Sequence, residues 1–302
     1  MFEELRTFVA VAEEGSFTKA AKKLSFSQPA VSQQVKRMEV FFNGATLLTR
    51  ASLGGNVDLT KEGELVYKRC KEILALVDAT MSEVTPHRET ELTRLRVGAS
   101  RTVGDHLLPI ILREFAKVQP DVVLSVTIGN TQQVCEMLHT GEVDIGLIEG
   151  KNMYHSFQRA DFFTDHLILV AAPSLAKRVE GFHPSQLGAL PWITREVGSG
   201  TRQYQRDFLM ANQIKVASQI ECNSNVANRE LALQGLGVTL ISLFTVADAL
   251  ASGQLVRLPM EKDWSRQFSY ITKEGAEGDH ILAQFIHILQ EVGKQSGEEL
   301  VV

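Results

Sequence analysis

Two serines stand eleven residues apart, and each directly precedes a short stretch with apolar residues at helical spacing. Serine is a preferred N-cap because its hydroxyl accepts a backbone N–H of the first helical turn. Pro29 is compatible with that first turn. The stretches behind Ser16 and Ser27 therefore predict two helices joined by a tight turn, which is a helix-turn-helix. Their apolar positions are Phe17, Ala20, Ala21 and Leu24, and then Val31, Val35, Met38 and Phe42.

The same stretch has a distinctive charge. It holds five basic residues and no acid before Glu39, although the whole chain has 36 acids and 31 bases. Bases contact DNA phosphates, whereas polar side chains on a helix bond to base edges in the major groove. We therefore predict DNA binding, with a helical bundle that uses a solvated basic face for protein contacts as the alternative. Gln28, Ser32, Gln33 and Lys36 are expected to face bases. The phosphate contacts are expected from Lys22, Lys23 and Arg37.

The next segments predict a wing and a long helix. Gly54 and Gly55 lie between short apolar runs, which is typical of a two-stranded hairpin, and Arg50 is its expected phosphate contact. Thr60 then caps a helix that runs to about Val84 and ends before a polar hinge, "TPHRET". Its apolar residues at four-three spacing indicate a coiled coil that pairs two chains. A helix packed on its own domain is the alternative. The predicted seam consists of Val66, Cys70, Ile73, Val77 and Val84.

From Leu95 onwards, predicted strands alternate with predicted helices, which favours parallel α/β sheets in two similar lobes. The chain is expected to cross between the lobes at "FFTDHLILV" and to return at "RQFSYITK". Ligands in such sheets bind at the carboxyl ends of the strands. The strand-to-helix turns are therefore the places to look for a ligand site.

Three of these turns carry hydroxyl or amide side chains. The third turn, "GSGT", is also rich in glycine, so backbone N–H groups at the helix start are available to an anion. Arg195 or Arg202 is expected to add a full positive charge. Serine and threonine at a helix start are also ordinary caps, which is the alternative for each turn. The residues of the three turns are Ser100 and Thr102, then Asn130 and Thr131, and then Gly198, Ser199, Gly200 and Thr201.

Several classes of protein do not fit the sequence. The three cysteines form no CxxC or Cys/His cluster, so neither a zinc site nor a disulfide framework is predicted. No nucleophile–base pair or carboxylate dyad points to an enzyme, and no cofactor is predicted. The N-terminus "MFEELRTF" lacks the basic residues of a signal peptide, and no apolar run is long enough to span a bilayer. We therefore expect a cytoplasmic protein. A solute-binding receptor remains the alternative to a DNA-binding regulator.

The residues resemble the LysR-type bacterial transcriptional regulators. The resemblance is carried by "LRTFVAVAEEGSFTKAAKKLSFSQPAVSQQVKRME", "LLTR" and "LTKEG", and it extends over essentially the whole chain. The segments "IGNT" and "TREVGSGTR" look most like the branch with CysL-like sulfur-assimilation and CbbR-like carbon-fixation regulators. The resemblance implies an effector-responsive transcription regulator that senses a small anionic metabolite. It also implies a homodimer or homotetramer on promoter DNA, with RNA polymerase as a further partner.

The resemblance further implies an α+β multidomain organisation. A winged helix-turn-helix is expected at residues 1–60, a coiled-coil linker helix at 61–88 and a two-lobed, periplasmic-binding-protein-like α/β effector domain at 89–302. Lobe I is expected at 92–162 and 269–302, and lobe II at 163–268. The candidate DNA-binding residues are Lys19, Lys22, Lys23, Ser27, Gln28, Pro29, Ser32, Gln33, Lys36, Arg37 and Arg50. The candidate effector-binding residues are Ser100, Thr102, Asn130, Thr131, Glu149, Glu196, Gly198, Ser199, Gly200, Thr201, Arg202 and Asn225.

Overall fold

The computed structural model of the chain describes residues 2–50, 57–84, 93–150, 156–179, 181, 183–276 and 279–299. The chain divides into two compact units, Met1–Glu91 and Leu92–Val302. The first unit contains α1 Phe2–Glu14, α2 Phe17–Leu24, α3 Gln28–Phe41, β1 Leu48–Arg50, β2 Val57–Leu59 and α4 Lys61–Val84.

The predicted helix-turn-helix is confirmed, including its caps. The Ser16 hydroxyl accepts the Lys19 N–H and the Ser27 hydroxyl accepts the Ala30 N–H, both at 3.4 Å. Residues spaced four and three apart on α3 point into the core of the unit, which leaves the opposite face of that helix to solvent. The buried residues are Val31, Val35 and Met38 on α3, and Ala20 and Ala21 on α2.

The "LTKEG" motif joins the wing to the long helix. β1 and β2 pair antiparallel, and the Thr60 hydroxyl accepts the Gly63 N–H at 2.9 Å. A Cβ on Gly63 would lie only 2.0 Å from the carbonyl oxygen of Leu47, so a side chain at this position would force the wing away from the helix. The predicted wing tip at 51–56, the side chain of Arg50 and the hinge at 85–90 lie outside the described residues.

The first part of α4 packs on its own unit, which corrects the predicted coiled-coil seam at Cys70. Cys70 is buried in a cluster with Leu5, Phe8 and Met38, so its side chain is not available to a partner chain, whereas Val66 is half-buried against the same cluster. Burial raises the pKa of the Cys70 thiol to about 11, so the residue behaves as a small apolar side chain. Further along the helix Ile73, Leu76 and Met81 are exposed and Val77 is half-buried, while the side chain of Val84 lies outside the described residues.

The second unit holds most of the strands. The strands are β3 Arg94–Ser100, β4 Val123–Gly129, β5 Ile145–Glu149, β6 Phe157–Ala171, β7 Pro191–Arg195, β8 Ser218–Cys222, β9 Thr239–Ser242, β10 Val256–Arg257 and β11 Trp264–Lys273. The helices are α5 Leu108–Val118, α6 Thr131–Thr140, α7 Pro173–Ala176, α8 Pro184–Ala189, α9 Gly200–Ala211, α10 Asn225–Leu233, α11 Leu243–Ala251 and α12 His280–Glu299. A π-helical turn, Val103–Leu107, precedes α5. The sequence did not predict α8, α11 and β10.

The second unit has two lobes, and each lobe is built on its own set of parallel strands. One lobe is built on β4, β3 and β5, and the other on β7 and β8 with β9 beside them. The long strands β6 and β11 run antiparallel through both lobes, as predicted for the two crossings: β11 pairs with β5, whereas β6 pairs with β9 and β10. The main sheet is therefore mixed, because the two crossing strands run against each other, and the prediction of parallel sheets holds only within each lobe.

Candidate functional site

The exposed face of α3 carries the polar side chains that the sequence predicts for base contacts. Gln28, Ser32, Gln33 and Lys36 are all exposed, on the side of the helix away from its buried residues. Gln34, by contrast, is half-buried and accepts a hydrogen bond from the Thr7 hydroxyl of α1. The other candidates with described side chains are exposed as well, namely Lys19, Lys22, Lys23, Ser27, Pro29 and Arg37.

Two of the predicted phosphate contacts are engaged with acids of α1. Lys23 Nζ lies 3.2 Å from Glu13 and 3.1 Å from Glu14, and these two carboxylates raise the pKa of Lys23. Arg37 lies 3.6 Å from Glu4. The basic stretch contains no acid in sequence before Glu39, but the fold places carboxylates of α1 next to two of its basic side chains. Lys22, on the same turn of α2 as Lys23, is exposed.

In the second unit, the starts of four helical segments are linked by side-chain hydrogen bonds. The segment before α5 contributes Thr102, α6 contributes Thr131, α9 contributes Thr201 and α10 contributes Asn225. Asn225 Nδ2 donates to Thr102 Oγ1 at 3.0 Å. The Thr131 hydroxyl donates to the backbone oxygen of Glu149 at 2.6 Å, and the Thr201 hydroxyl donates to Glu149 Oε1 at 3.1 Å. Helix N-termini carry partial positive charge, so this arrangement favours negative groups.

Arg266 lies at the centre of this cluster and is fully buried. Its Nε donates to Asp165 Oδ2 at 2.7 Å, its Nη1 to Thr201 at 2.8 Å and its Nη2 to Thr102 at 3.2 Å. Asp165 is its register partner across β6 and β11, so the ion pair lies on the two strands that connect the lobes. One guanidinium therefore joins the turn after β3, the start of α9 and the crossing strands.

Further contacts hold the two lobes against each other. Asn130, which forms a capping box with Gln133 at the start of α6, also donates through Nδ2 to Glu196 Oε1 at 3.2 Å. The Gln132 N–H donates to the Gly198 carbonyl at 3.1 Å. A Cβ on Gly200 would lie 2.0 Å from the backbone oxygen of Glu149, so only glycine allows α9 to approach β5 this closely.

Acids outnumber bases in this buried cluster. Arg266 faces both Asp165 and Glu149, while Arg195, 1% exposed, pairs with Glu196 at 2.8 Å. Burial raises the pKa of Asp165, although Arg266 and Ser242 act in the opposite direction. Burial lowers the pKa of Arg266, but Glu149 and Asp165 outweigh it and raise that pKa, so the guanidinium stays charged. Burial raises the pKa of Glu196, but the Arg195 guanidinium acts in the opposite direction, and the pKa of Glu196 is lowered overall.

The structure thus links five of the twelve predicted effector residues to one another. Thr102, Thr131, Glu149, Thr201 and Asn225 belong to one hydrogen-bonded network around Arg266. Ser199 caps α9 by accepting the Arg202 N–H at 3.4 Å. Arg202 itself is directed to Glu221 Oε2 at 2.5 Å, so its charge is compensated on β8 instead of in the network. Asn130, Glu196 and Gly198 are half-buried, whereas Ser100 and Gly200 are buried.

Sequence reasoning missed the two residues at the centre of the network, Arg266 and Asp165. Both lie inside strands, away from the strand-to-helix turns. The detectable feature was Asp165 within the apolar run "FFTDHLILV", because an acid in such a run is buried and needs a partner.

Some buried polar atoms of this region have no hydrogen-bond partner. They are Ser100 Oγ at the end of β3, Arg101 Nε directly after it, Glu149 Oε2 at the end of β5, Thr194 Oγ1 on β7, and both amide atoms of Asn228 one turn into α10. Glu149 Oε2 lies 3.2 Å from Arg266 Nη2, but the two groups are not aligned as a hydrogen bond. Unpartnered buried groups are rare in native proteins, so these atoms call for a partner that the chain itself does not supply, such as water or a bound ion.

Comparison with known proteins decides the family. Residues 88–294 match the LysR substrate binding domain, and residues 2–64 match the bacterial regulatory helix-turn-helix protein of the lysR family. The chain belongs to the LysR family of transcription regulators. This LysR-family chain is 35% identical over 274 residues to the HTH-type transcriptional regulator CysL of Bacillus subtilis, covering 89% of this chain and 90% of CysL.

Solved structures of LysR-family regulators show the same fold. Full-length CbnR in complex with its target DNA superposes with a TM-score of 0.67 at 21% identity, covering 97% of this chain and 99% of CbnR. The regulatory domain of Synechocystis CcmR in complex with 2-PG superposes with a TM-score of 0.61 at 22% identity, covering 67% of this chain and 98% of that domain.

Family membership fixes the general function. The chain is a DNA-binding transcription regulator with an effector-binding domain, and it belongs to a non-catalytic family. Within the described ranges, no His, Cys, Asp or Glu cluster is arranged to hold a metal ion. The helices that the structure describes include none with the length and apolar character needed to cross a membrane.

Proposed function

We propose that the chain binds an imperfect inverted repeat in promoter DNA through α3 and that a small anionic metabolite bound around Arg266 changes this interaction. The observation that carries the DNA part is the exposed polar face of α3 opposite its buried residues. Gln28, Ser32 and Gln33 have the hydrogen-bonding groups that read base edges, and Lys36 adds a charge.

The DNA-binding proposal is tested with the purified protein and its own upstream region. Binding is expected to be tighter to that region than to random DNA of equal length, and to weaken steeply with added salt as counterions are released. No preference for the upstream region at any salt concentration would contradict the proposal.

A pair of neighbouring lysines offers a matched test of the phosphate contacts. Lys22→Ala should weaken binding to all DNA sequences alike. It should also reduce the slope of log affinity against log salt concentration by about the amount that one phosphate contact contributes. Lys23→Ala should have a smaller effect, since the Lys23 charge is already compensated by Glu13 and Glu14. Fluorescence anisotropy of labelled DNA across a salt series measures both slopes. A larger effect for Lys23 than for Lys22 would show that the ion pairs of α1 open on DNA.

The proposed effector is anionic because the network around Arg266 offers donors. Thr102 Oγ1 accepts from both Asn225 and Arg266, so its own hydroxyl hydrogen takes no part in those two bonds. The Ser100 hydroxyl is buried and has no partner. Helix N-termini add partial positive charge next to these hydroxyls, whereas the charge of Arg266 is already offset by Asp165 and Glu149. Small oxyanions and carboxylated or phosphorylated metabolites have the acceptors that such donors require.

The proposal extends to assembly and location. We propose that two chains pair through the exposed apolar residues of α4 and that the effector domains pair again, giving a homodimer or homotetramer that contacts RNA polymerase in the bacterial cytoplasm. Val126 and Ile128 support the second contact, since they are exposed on β4, which is an edge strand of the main sheet. The proposed domain limits remain 1–60, 61–88 and 89–302, with lobe I at 92–162 and 269–302 and lobe II at 163–268.

A further inference from the structure

Glu149 and Asp165 are two buried carboxylates on the same guanidinium, but their hydrogen bonding differs. Asp165 is saturated: Oδ1 accepts the Ser242 hydroxyl and Oδ2 accepts Arg266 Nε, both at 2.7 Å. Glu149 is 2% exposed, and only its Oε1 accepts a hydrogen bond, from Thr201. Its Oε2 accepts no hydrogen bond, although the network around it is rich in donors.

An unused carboxylate oxygen has a definite consequence for an anionic ligand. Two negative groups in contact repel each other in a buried site, where screening by water is weak. The repulsion turns into attraction only when a hydrogen lies between the two oxygens, since an ionised carboxylate accepts hydrogen bonds and donates none. An anion next to Glu149 Oε2 must therefore bring its own O–H.

The neighbouring unpartnered groups fit the rest of such a ligand. Ser100 ends β3, which pairs in parallel with β5, the strand that ends at Glu149. Thr102, which shares Arg266 Nη2 with Glu149, provides a second hydroxyl. These hydroxyls can donate to oxygens that carry charge, while Glu149 can accept from an oxygen that carries hydrogen. The site thus combines groups that recognise two different kinds of ligand oxygen.

We infer that Glu149 is a specificity-determining residue that selects anions carrying a hydroxyl or an acidic proton over anions that have no hydrogen-bond donor. Hydrogen phosphate, a monoprotonated phosphorylated metabolite and a hydroxy acid have such a donor, whereas sulfate does not. This inference rests on the proposed anionic effector, and it names the chemical class within it. A buried acceptor left unpaired by the wrong ligand is the general basis for strong discrimination of this kind.

The experiment compares three dianions of similar tetrahedral shape on the full-length protein. In mildly alkaline buffer, hydrogen phosphate carries one O–H, whereas monofluorophosphate and sulfate carry none. Calorimetry on the wild type is expected to give at least about 100-fold tighter binding of hydrogen phosphate than of the other two. This comparison needs no variant, so it does not depend on how a substitution folds.

Two variants separate hydrogen bonding from charge. Glu149→Gln should reduce the preference for hydrogen phosphate to about 10-fold or less, because the amide can also turn its N–H₂ towards sulfate. Asp165→Asn removes a charge beside the same Arg266 but leaves the Glu149 acceptor in place, so it should keep the wild-type preference even if all affinities change.

The outcomes distinguish this inference from the proposed function. Equal affinity of the wild type for hydrogen phosphate and monofluorophosphate would overturn the role of Glu149 while leaving an anionic effector in place. The same applies if Glu149→Gln tightens binding of all three anions alike, since Glu149 would then be only a competing charge. If neither these anions nor any carboxylated or phosphorylated metabolite binds the wild type, the anionic effector fails, and this inference fails with it.

Discussion

Replacing Arg266 by Met should lower the free energy of unfolding of the second unit by about 3–5 kcal/mol, because Glu149 and Asp165 would remain buried without their counter-ion. Arg257→Met is the matched control. Arg257 is 56% exposed and pairs at 3.2 Å with Asp263, and surface pairs of this kind contribute about 0–1 kcal/mol. Urea unfolding followed by tryptophan fluorescence measures both variants, since the two tryptophans of the chain, Trp192 and Trp264, are in the second unit.

The cause of the loss can be checked with a compensated variant. If the unpaired carboxylates are responsible, combining Arg266→Met with Glu149→Gln and Asp165→Asn should recover a large part of the stability. A loss for Arg266→Met no larger than that of Arg257→Met would mean that Arg266 does not hold the two carboxylates in the folded protein.

The second large effect is expected from the double substitution Ile73→Glu and Leu76→Glu. These side chains are 43% and 70% exposed on α4, so the isolated chain should fold normally. In a paired linker helix, however, the two new charges would be buried without partners. Light scattering should show a smaller assembly. Affinity for the inverted repeat should fall by about 100-fold or more, because two linked DNA-binding units bind far more tightly than one.

Lys68→Glu is the control for this double variant. It changes the net charge of the helix by the same amount but lies at an exposed position on another face of α4. It should leave the mass of the assembly unchanged. If the double variant keeps both the wild-type mass and the wild-type affinity, α4 does not pair the chains.

Local chemistry made the first unit predictable. The N-caps Ser16 and Ser27 act on the next three residues, and the apolar spacing of α3 fixes its buried face without help from the rest of the chain. The apolar spacing on α4 led to a wrong prediction for Cys70, which packs on its own unit. A periodic apolar face predicts that a helix is covered on one side, but not which surface covers it. Lys23 shows the same limit for charge, since Glu13 and Glu14 reach it only after α1 and α2 have packed.

The effector site was predictable at its edges and not at its centre. Thr102, Thr131 and Thr201 lie in turns that lead from a strand into a helical segment, so their positions at helix starts can be deduced from the chain order. Arg266 and Asp165 are 101 residues apart in sequence, and they meet through the register of the two strands that carry them. A single sequence contains no rule that fixes such a long-range register, so the buried ion pair appears only in the fold.

The central claim is that a small anion binds around Arg266, and calorimetry of wild type and Thr201→Val against a panel of anionic metabolites tests it most directly. The Thr201 hydroxyl accepts from Arg266 and donates to Glu149, so valine keeps the shape and removes both hydrogen bonds. Hydrogen bonds to charged groups contribute about 1.5–3 kcal/mol, and these two bonds hold the side chains of Arg266 and Glu149 in position at the proposed anion site. We therefore expect the tightest anion to bind the variant about ten-fold more weakly or worse. A tightest ligand that is cationic or apolar, or an anion that binds both proteins equally well, would contradict the account.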